Sequence, residues 1–258
     1  LEEVRVIGLL KLRTKQALKA YHANPLNRGI AYRREVQKLK QADLTKLNFG
    51  CGHFALEGWT NTDGGDGKFW IAPPNPKVIK LNVWDFLHHC PDQVAEFIIS
   101  EQFFEHFDRQ EGHRMLREWF RILKPGGVVR IQMPDLEKEV RLYLGQLEGV
   151  TWEKDLLPHK LSHVQGTCDP YGKLLQDEQY LPSMLLNNSM HMDGHRFLYD
   201  FETITQSLTM AGFCDVKREK FGQSVHSDLQ QVDRHDGGDT GRHWVPQIVL
   251  TVEATKPI

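Results

Sequence analysis

The residues best equipped to move a proton stand in three places along the chain. His106 lies in the pair Glu105-His106, Asp135 follows Met133-Pro134, and His191, Asp193 and His195 crowd into one short stretch. Histidine titrates near neutrality, so an imidazole is the natural general base at physiological pH. With 13 histidines in 258 residues, most must serve the surface or the core, and each candidate has an ordinary reading beside the chemical one. His106 could pack or cap a turn, Asp135 could N-cap the helix that follows it, and His195 could serve the fold. A second kind of chemistry, binding by backbone, is written in Leu47-Asn48-Phe49-Gly50-Cys51-Gly52. A strand running into Gly-x-Gly turns sharply and lets a ligand approach where a side chain would clash. Downstream, at the end of a second short strand, stands Asp63. A carboxylate there can accept both hydroxyls of a ribose.

Other ligand patterns fit less well. A dinucleotide fingerprint would want glycine at position 55, where Ala55 stands, and an acid farther along than Asp63. The Gly-Lys-Ser/Thr of a phosphate-binding loop is absent. By residue type Glu105, His106 and His191 could hold a divalent ion, but a single carboxylate makes a weak site for a hard cation, and no metal is expected. Aromatic residues, Trp84 and Phe103 among them, could wall a pocket but read first as core.

The scaffold for these residues follows from hydrophobic periodicity. Strand-length apolar runs fall near 46–49, 60–63, 78–81, 97–100 and 128–133. Helical spacing fills 110–123, where Met115, Leu116, Trp119, Phe120 and Leu123 share one face before Lys124-Pro125-Gly126-Gly127 stops it. Strands alternating with helices imply a mostly parallel sheet covered on both faces. A helix should follow Asp135 to about residue 147, and another should run over 201–210, entered after Asp200 and ended by Gly212. Strands are expected at 215–221 and 247–253. Residues 1–43 read as an amphipathic helical extension broken around Pro25, Asn27 and Gly29. Residues 150–193 show no clear period and read as an insertion or lid beside the sheet's active edge.

Composition narrows the partners. With 32 basic and 34 acidic side chains and a formal net charge of -2, the chain has no overall electrostatic footprint for nucleic acid. No apolar run reaches the ~20 residues of a membrane span. The cysteines form no CxxC pair, and a reducing cytoplasm is the expected setting.

Taken together, Leu47–Gly52, Gly58-Trp59-Thr60-Asn61-Thr62-Asp63, Phe104-Glu105-His106-Phe107 and Leu123-Lys124-Pro125-Gly126-Gly127 resemble the class I S-adenosylmethionine-dependent methyltransferases in order and spacing. His195-Arg196-Phe197-Leu198-Tyr199-Asp200 and Ala211-Gly212-Phe213 are similar to that family's tail. The nearest likeness is to a small bacterial group often associated with polysaccharide biosynthesis. The resemblance covers residues 44–257. It implies an α/β, Rossmann-like sheet of seven strands, six parallel and one antiparallel, with the last two forming a reversed hairpin. It makes residues 44–258 an S-adenosylmethionine-binding domain and 150–193 its acceptor-side insertion. It sets Phe49, Gly50, Cys51 and Gly52 against the methionine part of the cofactor and Asp63 on the ribose. Asn82 and Val83 would face the adenine, and Ser100 and Glu101 the reactive end.

The chain departs from the family's pattern at Asn48, where an acid is common, at Phe54, where a third glycine is common, and in lacking most of the first helix. The implied reaction is O-methylation of a sugar or small hydroxylated metabolite, with His106, Asp135, His191 or His195 serving the acceptor. N-methylation of a small molecule and a non-catalytic cofactor-binding protein remain open alternatives. Nucleic-acid methylation fits poorly, because Ser100-Glu101-Gln102-Phe103 stands where those enzymes carry their own motifs. The N-terminal helices could pack on their own domain or on a second copy in a homodimer.

Overall fold

A computed structural model describes residues 25–64, 75–146, 148, 182–191, 194–234 and 245–258. Helix α1 (Pro25–Gln41) leads to strand β1 (Lys46–Phe49), β2 (Thr60–Thr62) and β3 (Val78–Ile79). Helix α2 (Val83–His89) and strand β4 (Ala95–Glu101) follow, then a single 3-10 turn at Phe104–His106. The chain continues through α3 (Arg109–Ile122), β5 (Leu123–Pro134) and α4 (Leu136–Tyr143), and resumes at α5 (Pro182–His191). Helix α6 (Phe201–Ala211), β6 (Cys214–Glu219), the short helix α7 (Val245–Ile248) and β7 (Val249–Thr255) complete it.

The seven strands form one sheet in the order β3-β2-β1-β4-β5-β7-β6. Pairs from β3 to β5 are parallel, whereas β7 runs antiparallel to both β5 and β6. This is the expected Rossmann-like sheet with its reversed terminal hairpin. The parallel strands are in register at their carboxyl ends. Ile79, Thr62, Phe49, Ser100 and Ile131 stand in one row, paired neighbour to neighbour. The chain leaves β1 outward through β2 and β3, then returns to lay β4 on β1's other side. Between β1 and β4 lies the switch point, outside whose carboxyl ends ligands bind in open α/β sheets.

The core explains the helices. Helix α3 buries Met115, Leu116, Trp119 and Ile122, all without exposed surface, on the face that the spacing predicts. Its start is fixed by a capping box in which Asp108 accepts the Glu111 amide and the Glu111 side chain accepts the Asp108 amide. Asp200 caps α6 through the Thr203 amide, and Gly212 ends that helix at φ 107°, a left-handed position that costs glycine little.

Two expectations are corrected. Asn27 and Gly29 do not interrupt the chain: α1 opens at Pro25, where a missing N–H is harmless, and runs through both. Leu39 of α1 is buried in the common core with Leu47, Phe86 and Leu87, so this helix packs on its own sheet. Within the stretch expected to have no period, residues 182–191 form a helix. Helix α4 also ends earlier than expected, at Tyr143. Residues 1–24, most of the 150–193 insertion including Asp193, and 235–244 lie outside the described residues.

Candidate functional site

Two groups of residues flank the switch point, and they are built differently. On one side the loop after β1 is shaped by backbone. Gly50 and Gly52 adopt φ of 67° and 50°, left-handed values that disfavour side chains. The amides of Gly50 and Cys51 both donate to the Thr62 carbonyl, at 2.9 and 3.2 Å. A Cβ on Gly50 would lie 2.3 Å from the Phe103 ring, whereas one on Gly52 would meet nothing within 4 Å. Gly50 is therefore demanded twice, by its backbone angle and by the aromatic ring that packs over it. Gly52 is demanded only by its angle and leaves open space above the loop.

No helix follows β1, and a side-chain clamp takes its place. Buried Asn48 donates to the Asn61 side chain at 2.9 Å, and Asn61 in turn holds Leu56 N, Leu56 O and Trp59 O. The Asn48 that departs from the family pattern thus has a structural use here. Asp63 emerges beside the glycine loop, one strand over. Burial raises its carboxyl above the ordinary aspartate range, while the Lys80 charge and the Gly52 amide pull the other way. Burial, aided by the negative charge of Asp63, pushes the Cys51 thiol up to about 12. It stays un-ionised and is no nucleophile. Asn82 caps α2 by accepting the Trp84 amide, with Val83 buried behind it. Ser100 is fully buried at the end of β4, and its hydroxyl has no hydrogen-bond partner.

On the other side the groups come from distant parts of the chain. The 3-10 turn after β4 carries Glu105, wholly buried, with no hydrogen-bond partner at either carboxylate oxygen. Desolvation raises its carboxyl to about 8, with the Glu101 charge adding to the effect. His195 approaches from the segment before α6. Its Nε2 lies 3.9 Å from Glu105 Oε1, and its ring centroid is 5.1 Å from that of His106. The segment is sewn on by backbone, since Arg196 N and Phe197 N both donate to the Glu105 carbonyl. On the far side of the ring, His195 Nδ1 stands 2.7 Å from the Ser189 carbonyl of α5. A carbonyl only accepts, so Nδ1 carries the hydrogen, and Nε2 is the ring nitrogen on the side of Glu105.

The structure thus brings His106 and His195 together, with Glu105 beside them. His191 ends α5 and is exposed. Asp135 acts as the N-cap of α4, accepting the Glu137 amide, and is fully buried. Burial raises its carboxyl, and Lys138, 3.9 Å away, opposes that shift.

Sequence reasoning missed the support of Glu101. Arg130, without exposed surface in the middle of β5, bonds Asp233 through two nitrogens and Glu253 through a third contact. The next residue, Arg234, gives its amide to Glu101 Oε1 at 2.7 Å, and Gln132 Nε2 donates to the same oxygen. The signal was an arginine inside the apolar run Val128–Met133, which must be paired if buried.

Comparison with solved structures gives a methyltransferase from Archaeoglobus fulgidus described as S-adenosylmethionine-dependent, 16% identical, covering 92% of this chain and 97% of that one at a TM-score of 0.43. A phosphoethanolamine N-methyltransferase from Haemonchus contortus, in complex with phosphomonomethylethanolamine and S-adenosylhomocysteine, is 12% identical over 88% of this chain and 52% of that one, with a TM-score of 0.44. A Haloferax volcanii methyltransferase described as putative, in complex with the Trm112 activator, is 14% identical over 93% and 97% of the two chains, with a TM-score of 0.42. No curated protein matches the chain. Residues 71–131 match the family described as "Methyltransferase domain", a stretch that contains β3, β4, the Glu105-His106 turn and most of β5.

Proposed function

We propose that this chain is an S-adenosylmethionine-dependent methyltransferase that methylates an oxygen of a sugar or small hydroxylated metabolite. The observation that carries the reading is that both groups follow the carboxyl ends of adjacent strands. A glycine loop open at Gly52, with Asp63 one strand over, follows β1, and buried Glu105 with two imidazoles beside it follows β4. The match of residues 71–131 to a methyltransferase domain supports the same reaction class.

In this reading the loop Phe49-Gly50-Cys51-Gly52 takes the methionine end of the cofactor, and Asp63 accepts the ribose hydroxyls. Asn82 and Val83 border the adenine, and Ser100 and Glu101 stand near the reactive end. The acceptor oxygen attacks the methyl carbon in line with the breaking bond. The C–S bond breaks with its electron pair left on sulfur, giving the neutral thioether, and the O–C bond forms. The acceptor's proton leaves toward the His106–His195 pair. Asp135 positions this edge by capping α4 and bridging to Tyr199, while His191 closes the helix that holds His195 through Ser189. A polar, histidine-rich edge suits a hydroxylated acceptor, and a role in polysaccharide biosynthesis belongs to this proposal. So does a cytoplasmic setting, which the free thiols of Cys51, Cys90 and Cys214 support.

Titration calorimetry with S-adenosylmethionine and S-adenosylhomocysteine tests the cofactor. Asp63→Ala should weaken both by about 1–3 kcal/mol, roughly five- to 150-fold. Absence of binding to the unaltered chain would sink the proposal. With binding in hand, transfer of labelled methyl to sugars against amines of matched size decides the acceptor atom.

A further inference from the structure

We infer that Glu105, His106 and His195 form a binding site for one divalent transition-metal ion, Zn²⁺ by the nature of its ligands. The inference stands on geometry that proton transfer alone leaves unexplained. One ligand atom from each of the three residues lies within 4.8 Å of the other two. Tetrahedral coordination with bonds of roughly 2.0–2.1 Å would set such atoms about 3.4 Å apart, so small side-chain rotations suffice. Glu105 is the telling member. A carboxylate with no exposed surface and no hydrogen-bond partner on either oxygen is expensive to keep, and native proteins rarely leave one without an occupant beside it. Its Oε1 has His195 Nε2 3.9 Å away, and the His106 ring lies beside that of His195.

The surroundings are those of a ligating histidine. A metal-bound imidazole commonly gives its other N–H to a carbonyl or carboxylate, which fixes its tautomer and rotation. His195 does so to Ser189 O at 2.7 Å. The Glu105 carbonyl receives the amides of Arg196 and Phe197, so the two ligand-bearing segments are joined before any ion arrives. Glu101 adds negative charge nearby. Two imidazoles and one carboxylate favour a borderline-soft ion over Mg²⁺ or Ca²⁺, which prefer oxygen throughout. Three protein ligands leave a fourth position open, as catalytic rather than structural zinc sites do. Resting on the methyltransferase reading, that position would receive the acceptor's oxygen and ease loss of its proton. His191, which the sequence offers as a ligand, is replaced by His195.

The test uses the full chain, stripped with chelator and dialysed against Zn²⁺, with elemental analysis of bound metal. The expected result is one ion per chain, with affinity reduced at least about a hundred-fold in Glu105→Gln and in His195→Ala; even outer-shell losses cost ten- to a hundred-fold. Because either variant could fold poorly, Co²⁺ added to the unaltered protein gives a second readout, the visible spectrum of a low-coordinate N/O site. Failure of the unaltered chain to hold Zn²⁺, Mn²⁺ or Co²⁺ stoichiometrically, or equal binding by both variants in folded form, overturns the site. Methyl transfer at full rate in chelator, with cofactor binding intact, would likewise overturn its catalytic part and leave the imidazoles as direct bases. Stoichiometric zinc without cofactor binding would uphold the metal site and sink the methyltransferase reading.

Discussion

The two sides of the switch point solve the same problem, holding a reacting molecule, by opposite means. On the β1–β2 side most of what shapes the loop lies between Leu47 and Asp63, with Phe103 packed over Gly50 from beyond β4. The loop is shaped by two left-handed glycines and by amides bonded to Thr62 O. On the β4 side, Glu105 and His106 must meet His195 and Ser189 across a long separation in sequence, and side chains do the converging. The first arrangement is local and tolerates little change of backbone. The second is assembled by tertiary packing and depends on particular side chains. Binding on the first side and chemistry on the second should therefore be separable by mutation.

The largest separation is expected from His195→Ala. General acid–base or metal-ligand loss at a catalytic edge costs about 10²- to 10⁴-fold in rate. Calorimetry should show cofactor affinity within about two-fold of the original, since His195 stands on the acceptor side; a parallel loss of affinity would mean that the two edges are one site. Next in size is the contrast between the two glycines. Gly50→Ala must place a methyl group 2.3 Å from the Phe103 ring at a left-handed φ, displacing that ring and costing roughly 2–4 kcal/mol in stability. Gly52→Ala carries only the backbone penalty, roughly 1–2 kcal/mol, with nothing to collide with. Chemical denaturation measures both. Equal losses would show that Phe103 yields freely and that the ring does not lock the loop.

The same contrast explains what could be read in the sequence. Lys46–Phe49, the bounds of α3, the Asp200 cap and the Gly212 stop follow from periodicity and turn chemistry within a few residues, and the structure places them as expected. The antiparallel β7 was legible only through family resemblance, because no local pattern sets strand order. The histidine edge was half legible. His106 and His195 were both candidates, yet nothing local pairs them or makes Glu105 their common neighbour. His191 stands in the same short cluster as His195, and a helix ending in solvent carries it away. Arg130 was hidden for a related reason: its partners Asp233 and Glu253 lie on other segments. Short-range signals recover elements, and long-range charge or metal pairing waits for the fold.

The smallest expected effect probes what holds the histidine edge together. Arg196 makes two ion pairs with the capping box of α3, to Asp108 and Glu111, but its side chain is 49% exposed and its partners 44% and 37%. Exposed pairs contribute about 0–1 kcal/mol each. The backbone amides of Arg196 and Phe197, bonded to the Glu105 carbonyl, do not depend on the side chain. Arg196→Met should therefore lower the melting temperature by only a few degrees, leave cofactor affinity unchanged and reduce turnover no more than several-fold. Added salt should shrink the difference from the original chain, because exposed charges are screened. A loss of turnover as deep as that of His195→Ala would mean that the guanidinium, rather than the backbone, keeps His195 beside Glu105. The β4 edge would then be held by surface charge as well as built from side chains, and its contrast with the glycine loop would be sharper still.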